Sequence, residues 1–390
     1  SSGVMAQYTF NELKELFGQL GATYSIRADS EYLYLTLRGY ESTLQESCLL
    51  LTKLLLMPSL DEKQLNNLKG SMISSRMRRK KNVNTIGSAL NEFIMYGDES
   101  RYRKEITDQE LMDLNISSLT GDITNASHYA AEIHYSGSMP FDEVYSILSK
   151  NLPLVEGELP SSSPLVKKTM DYKENTVFFV PNTDAQQAQI YFYIPIGEYE
   201  RANDVERIAF NQYFSGGFNG LVMQEIREKN SMAYTAYGSV RTRRLPGSRQ
   251  YFTGFVGTQN DKAEQAVELY LSLLSDMPCN EKTLDNVKNY LRETLLSTKP
   301  DPRSKGMYRA TLEKQGYDHD PSGEWVSQID NLTFQDIVDY YNANVKGKPI
   351  VIGIVGNPKD INAKDLAAFG KVLKLNEKRL FNENDVLFQN

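Results

Sequence analysis

The sequence predicts an α+β fold of two tandem homologous domains, each a mostly antiparallel sheet faced by helices, the first truncated at its N-terminus. Three observations carry this expectation. Residues 51–72 read LTKLLLMPSLDEKQLNNLKGSM and residues 271–291 read LSLLSDMPCNEKTLDNVKNYL. Both run helix, Met-Pro, Glu-Lys, then a second helix bearing Leu, Asn and Lys, and Met277 falls 220 residues after Met57. Further on, the strand-like runs AAEIHYSGSMPFDEV and PIVIGIVGNPKDINA reach a glycine that precedes a helix, Gly137 and Gly356, which are 219 residues apart. Two landmarks with nearly one offset indicate a duplicated unit. Between the copies, residues 151–168 read NLPLVEGELPSSSPLVKK, whose three prolines and three consecutive serines mark a linker. It divides residues 1–150 from residues 169–390.

The elements follow in order. Thr9 and Glu12 form a capping box, T-F-N-E, that starts the first helix. The repeat pairs GATYSIRA near Tyr24 with MAYTAYGS near Tyr234, and the helix pair at 51–72 follows. The basic run Arg76 to Lys81 closes that second helix, where positive charge suits the macrodipole, so a solvated helix end is expected. Tyr129 to Ile133 reads as a strand. In the second copy, Thr176–Val180 and Gln187–Pro195 read as strands and about 203–214 as a helix. SGGFNG, 215–220, lacks the Gly-Lys-Ser/Thr ending of a phosphate loop and reads as a helix–helix connection. A helix to Lys229 precedes a hairpin of strands 232–241 and 249–258, whose tip carries Pro246-Gly247. Helices then span about 261–275 and 281–297, stopped by Pro300 and Pro302. Shorter helices are expected near 304–315, 323–330 and 334–343. A strand at 349–356 and a terminal helix from about Asn362 complete the copy.

The repeat register pairs Tyr24 with Tyr234. Tyr234 lies 69 residues after Leu165 and Tyr24 only 23 after Ser1, so the first copy lacks 46 residues at its front. The expectation is a C-terminal piece of a longer polypeptide, since a domain without its leading strand and helix leaves an open edge.

Composition narrows the function. The net charge of −7 in 390 residues argues against nucleic acid as the main partner. No apolar run approaches the ~18 residues of a membrane span; Cys48 to Met57 is broken by Thr52 and Lys53. Cys48 and Cys279 sit beside apolar helical residues or a helix start and are expected to be buried free thiols. His128 and His134 would lie ~20 Å apart along a strand, too far for one metal. With His319 they complete the histidines, and no metal site is expected in this chain.

The stretch QEIREKNSMAYTAYGSV, 224–240, places Arg227 on the last turn of a helix and Tyr234, seven residues on, at the start of a strand. Locally, a cation suits a helix C-terminus and tyrosine suits a strand. The wider string FSGGFNGLVMQEIREKNSMAYTAYGSV resembles the second-domain signature of the insulinase/pitrilysin-type zinc peptidases, similar to mitochondrial processing peptidase subunits. Gly216-Gly217, Leu221, Ile226-Arg227-Glu228 and Ala233-Tyr234 carry the likeness. The resemblance covers nearly the whole chain and implies the third and fourth domains of a four-domain clamshell that encloses unfolded peptides.

In that family an inverted H-x-x-E-H motif and a distant glutamate hold Zn²⁺. The resemblance places the motif's slot in the absent front of the first copy, and in the second copy at IAFNQYFSGG, which has no His or Glu pair. The distant ligand would fall near Leu68 and Ser75, which cannot bind zinc. No cofactor is therefore implied in this chain, and Zn is implied in an N-terminal half. Arg227 and Tyr234 match a pair that reaches the substrate beside the metal, with Gly216 and Gly217 contributing to substrate binding. In the first copy the residue seven before Tyr24 is Phe17, so only the second copy keeps the pair. The implied partners are the N-terminal half of the same polypeptide and unfolded peptide substrates. An inactive homologue serving as a binding or assembly subunit, and a stand-alone α+β binding module, stay open as alternatives. Bacterial two-half relatives are often exported, which makes the periplasm the compartment the resemblance implies.

Overall fold

Leucines 13, 50 and 51 with Phe17 and Ala22 form a small core of their own, apart from the larger cores built on the second sheet. The computed structural model describes residues 9–29, 31–56, 61–126, 128–152 and 167–382. Two compact units result. One comprises the described parts of residues 1–75, 108–165 and 301–307, and the other those of 76–107, 166–300 and 308–390. The Met57-Pro58 landmark and most of the expected linker lie outside the described residues.

In the first unit, α1 (Phe10–Gln19) starts at the expected capping box: Glu12 N–H donates to the Thr9 hydroxyl at 3.3 Å and Thr9 N–H donates to the Glu12 carboxylate at 2.7 Å. The antiparallel hairpin β1 (Thr23–Ala28) and β2 (Leu33–Arg38) follows, then α2 (Leu44–Leu56) and α3 (Glu62–Lys81), whose residues from Arg76 on count with the second unit. Beyond α4 (Val83–Tyr96), which belongs to the second unit, come α5 (Asp108–Asp113), α6 (Ile116–Ala126) and α7 (Phe141–Asn151). The helix after Gly137 thus forms. The strand expected at Tyr129 to Ile133 does not: this segment has no ladder partner among the described residues. Just beyond it the chain is tied by a side chain instead, as Glu41 accepts from the Tyr135 hydroxyl, the Ser138 hydroxyl at 2.6 Å and the Met139 N–H at 2.9 Å.

The basic run also departs from a purely solvated helix end. Arg76 is buried, donating to the Ile106 carbonyl at 2.9 Å with Glu105 at 3.3 Å, and Arg79 reaches the same carboxylate. A buried guanidinium needs such a partner to offset its desolvation. Cys48 is buried as expected, whereas Cys279 is exposed, because Met277 takes the inward position of that connection.

The second unit is built on β3 (Thr176–Pro181), β4 (Ala188–Glu198), α8 (Asp204–Ser215), β5 (Thr235–Arg241), β6 (Arg249–Thr258), α9 (Ala263–Ser275), α10 (Leu284–Ser297), α11 (Lys305–Lys314), α12 (Ser322–Asn331), α13 (Phe334–Asn344), β7 (Val351–Gly356) and β8 (Lys371–Lys374). The six-stranded sheet runs β5-β6-β4-β7-β3-β8. Pairings from β5 to β7 are antiparallel, and β3 runs parallel to both β7 and β8. Its central strands are near-continuous apolar runs because helices cover both faces. Val177 and Phe179 point into the core with α8, α9 and α13, while Phe178 and Val180 pack with Ile86, Leu90 and Ile94 of α4. Phe192 stacks on Tyr270 at 4.0 Å between ring centroids. Each such fully buried side chain contributes roughly 1.5–3 kcal/mol.

The terminal helix expected from about Asn362 is not formed. A short 3-10 turn, Asp365–Ala368, gives way to β8, whose backbone takes up the open edge of β3. Lys371 N–H donates to the Asn175 carbonyl and Leu375 N–H to the Phe179 carbonyl. Covering an edge in this way removes unpaired backbone groups.

Candidate functional site

The junction between α8 and β5 is anchored from beneath. Val222 and Ile226 are fully buried, four residues apart on one face. The expected α-helix to Lys229 is instead π-helical over Met223–Lys229. Such wide turns are short and often occur at functional sites. The chain then reverses tightly, with Ser231 N–H donating to the Arg227 carbonyl and Met232 N–H to the Ile226 carbonyl. Ser231 takes φ +50°, a left-handed conformation rare outside glycine. A β-branched residue fits it worst. Ser231→Val is expected to lower the urea midpoint by an amount equivalent to about 1–2 kcal/mol.

This frame presents both predicted side chains to solvent. Tyr234 is 63% exposed, and its N–H is fixed to the Gly257 carbonyl of β6 at 3.1 Å, one residue before β5 begins. The Arg227 side chain is 44% exposed, its Nε 3.7 Å from Glu228 and its guanidinium 5.9 Å from the Phe218 ring centroid. Glu225 is engaged by Lys229 at 2.6 Å. In the first copy, Phe17 is 2% exposed and lies 4.7 Å from the ring of Tyr24. There the corresponding pair is core packing.

The glycine-rich connection precedes this junction. Gly217 has φ +62°, where a side chain is strained, and a Cβ on Gly220 would meet the Ser215 backbone at 2.7 Å, so a side chain there is excluded. Gly216 and Gly217 form one wall of a groove of about 540 Å³, also lined by Arg207 and Asn211 of α8, Arg241 of β5 and Tyr290 of α10. Arg207 and Asn211 are spaced i, i+4 on one helical face. A guanidinium and a carboxamide there do not suit Zn²⁺, and neither do the exposed Leu68 and Ser75 on α3. Among the described residues, no group of three or more His, Cys, Asp or Glu side chains could hold a metal. No helix among them is long and apolar enough to cross a membrane.

Comparison with known proteins bears on this arrangement. Residues 130–291, which include the groove, Arg227 and Tyr234, match the family described as the peptidase M16 inactive domain. Over that span the chain is similar to an M16 inactive domain. It is similar to a peptidase M16 inactive domain from Pseudomonas fluorescens, with a TM-score of 0.67, 16% identity, and coverage of 90% of this chain and 84% of that one. It is also similar to the periplasmic protease PqqL from Escherichia coli, with a TM-score of 0.63 and 13% identity over 89% of this chain and 38% of that chain. A Helicobacter pylori relative named non-peptidase homolog YmxG is 18% identical, covering 88% of this chain and 80% of its own length.

Behind the groove the second unit keeps a buried charge. Asp204, at the first turn of α8 and 1% exposed, accepts from the Tyr199 hydroxyl at 2.6 Å, the Tyr317 hydroxyl at 2.8 Å and Arg207 Nη2 at 2.6 Å. Arg244 from the β5–β6 connection stands 3.8 Å away, over the Trp325 ring at 4.7 Å. Burial, with Asp204 next, raises the Tyr199 phenol, so it stays a donor. Sequence reasoning missed this cluster. Only the Asp-x-x-Arg spacing on α8 hinted at it; Tyr199 stands just before α8, but Tyr317 arrives from a distant segment.

Proposed function

We propose that this chain is the non-catalytic C-terminal half of a zinc metalloendopeptidase. It forms part of a chamber that encloses unfolded peptides and lends Arg227 and Tyr234 to the active site of the N-terminal half of the same polypeptide. In this reading residues 1–150 and 169–390 correspond to the third and fourth domains of the parent. The observation that supports it is the exposure of Arg227 and Tyr234 on a junction anchored by the buried Val222 and Ile226 and by the hydrogen bond of Tyr234 N–H to β6. Rigid placement favours correct orientation at a reacting centre.

Zinc in the catalytic half would supply the activated water. This chain's part is electrostatic. The Tyr234 hydroxyl donates to the oxyanion that forms at the scissile carbonyl; such a donor is worth about 3 kcal/mol. Arg227, always charged and carrying five N–H donors, holds a neighbouring backbone carbonyl of the peptide. Gly216 and Gly217, with no side chains, let peptide approach the backbone closely.

A second reading has its own support. The relative named a non-peptidase homolog favours a chain that binds or assembles without taking part in cleavage. Reconstitution separates the two: adding the chain to a zinc-bearing half should switch on cleavage of an unstructured peptide, whereas a stable but inactive complex would select the assembly role.

A further inference from the structure

We infer that the groove between α8, β5 and α10 is a subsite for an acidic side chain of an extended peptide, gripped by side chains and not by strand addition. This rests on the reading that the unit holds peptide, and specifies which residue it prefers. Charge is the first support. The groove is lined by Arg207 and Arg241 and by no carboxylate, in a chain whose net charge is −7. Asp204 beneath the groove balances Arg207. Arg241 is exposed, its Nε donating to the Ser239 hydroxyl at 2.9 Å, and it has no carboxylate partner among the described residues. A guanidinium with free N–H donors matches a carboxylate in a two-point contact.

The walls support an extended ligand. Tyr237 and Tyr290 are 44% and 53% exposed and present aromatic surface beside the cation. β5 is an edge strand, yet part of its outer edge is already taken. The Asn211 amide both accepts from the Val240 N–H at 2.7 Å and donates to its carbonyl at 3.0 Å, and Gly238 N–H donates to the Ser215 hydroxyl at 3.1 Å. A peptide strand added along β5 would have to break these bonds. Recognition therefore falls to the side chains of the groove.

The test uses the whole chain and fluorescence anisotropy with two labelled, unstructured peptides that are identical except for one Glu in one and Gln in the other. The Glu peptide is expected to bind about tenfold more tightly. That preference should shrink with added salt and vanish in Arg241→Ala; the exposed side chain leaves folding intact, and a urea melt checks this. Equal affinities, no binding of either peptide, or a preference that survives Arg241→Ala would overturn the inference. The outcome is separable from the peptidase reading: a Glu preference with no reconstituted cleavage leaves the subsite standing without it, and cleavage with no Glu preference does the reverse.

Discussion

Asp204→Ala is expected to cost the protein about 3–5 kcal/mol of folding stability. The carboxylate is 1% exposed and serves two tyrosine hydroxyls and the Arg207 guanidinium, with Arg244 close by. Its removal leaves Arg207, itself 8% exposed, as a buried charge without its counter-ion. It also strands the hydroxyls of Tyr199 and Tyr317, each costing roughly 1–3 kcal/mol if unsatisfied. The position at the first turn of α8 adds a smaller macrodipole contribution of about 0.3–1 kcal/mol. Asp204→Asn keeps the shape and one acceptor, so it should fall between wild type and Ala. The measurement is the urea midpoint at constant slope. A loss below ~1 kcal/mol for Ala would mean that water or a rearranged side chain replaces the carboxylate, and that the cluster does not brace the helix against the hairpin.

Tyr234→Phe is expected to lower the kcat of the reconstituted peptidase by about 10²-fold or more while leaving KM nearly unchanged, because the hydroxyl acts on charge that exists only in the transition state. Arg227→Ala is expected to act mainly on KM, since a grip on a substrate carbonyl contributes to ground and transition state alike. Both residues are substantially exposed, so neither change should disturb folding. Equal effects of the two variants on KM alone would assign both to binding. No effect of either would return Arg227 to its local role at a helix end and remove the pair from the active site.

What could be read from the sequence was what local chemistry determines. The hairpin around Pro246-Gly247, the capping box at Thr9 and the alternation in β5 and β6 depend on neighbours within a few residues, and each appears in the fold. The failures depended on distant partners. Residues 129–133 have strand composition but no strand to pair with among the described residues. The stretch after Asn362 has helical spacing, yet part of it becomes β8 because β3 offers an edge. Arg76 looks solvated in a basic run until Glu105 meets it. The π-helical turn under Arg227 leaves no mark in composition, since an i→i+5 ladder alters neither charge nor apolar spacing enough to be seen. The groove was half visible: Gly216 and Gly217 were singled out, but Arg241 and Tyr290 join them only through tertiary packing.

The measurement that tests the central proposal most directly is the hydrolysis rate of an unstructured fluorogenic peptide by the zinc-bearing N-terminal half, followed as this chain is titrated in. The proposal predicts little or no cleavage by either part alone and a rate that saturates near one equivalent. Full activity of the N-terminal half without this chain would contradict it.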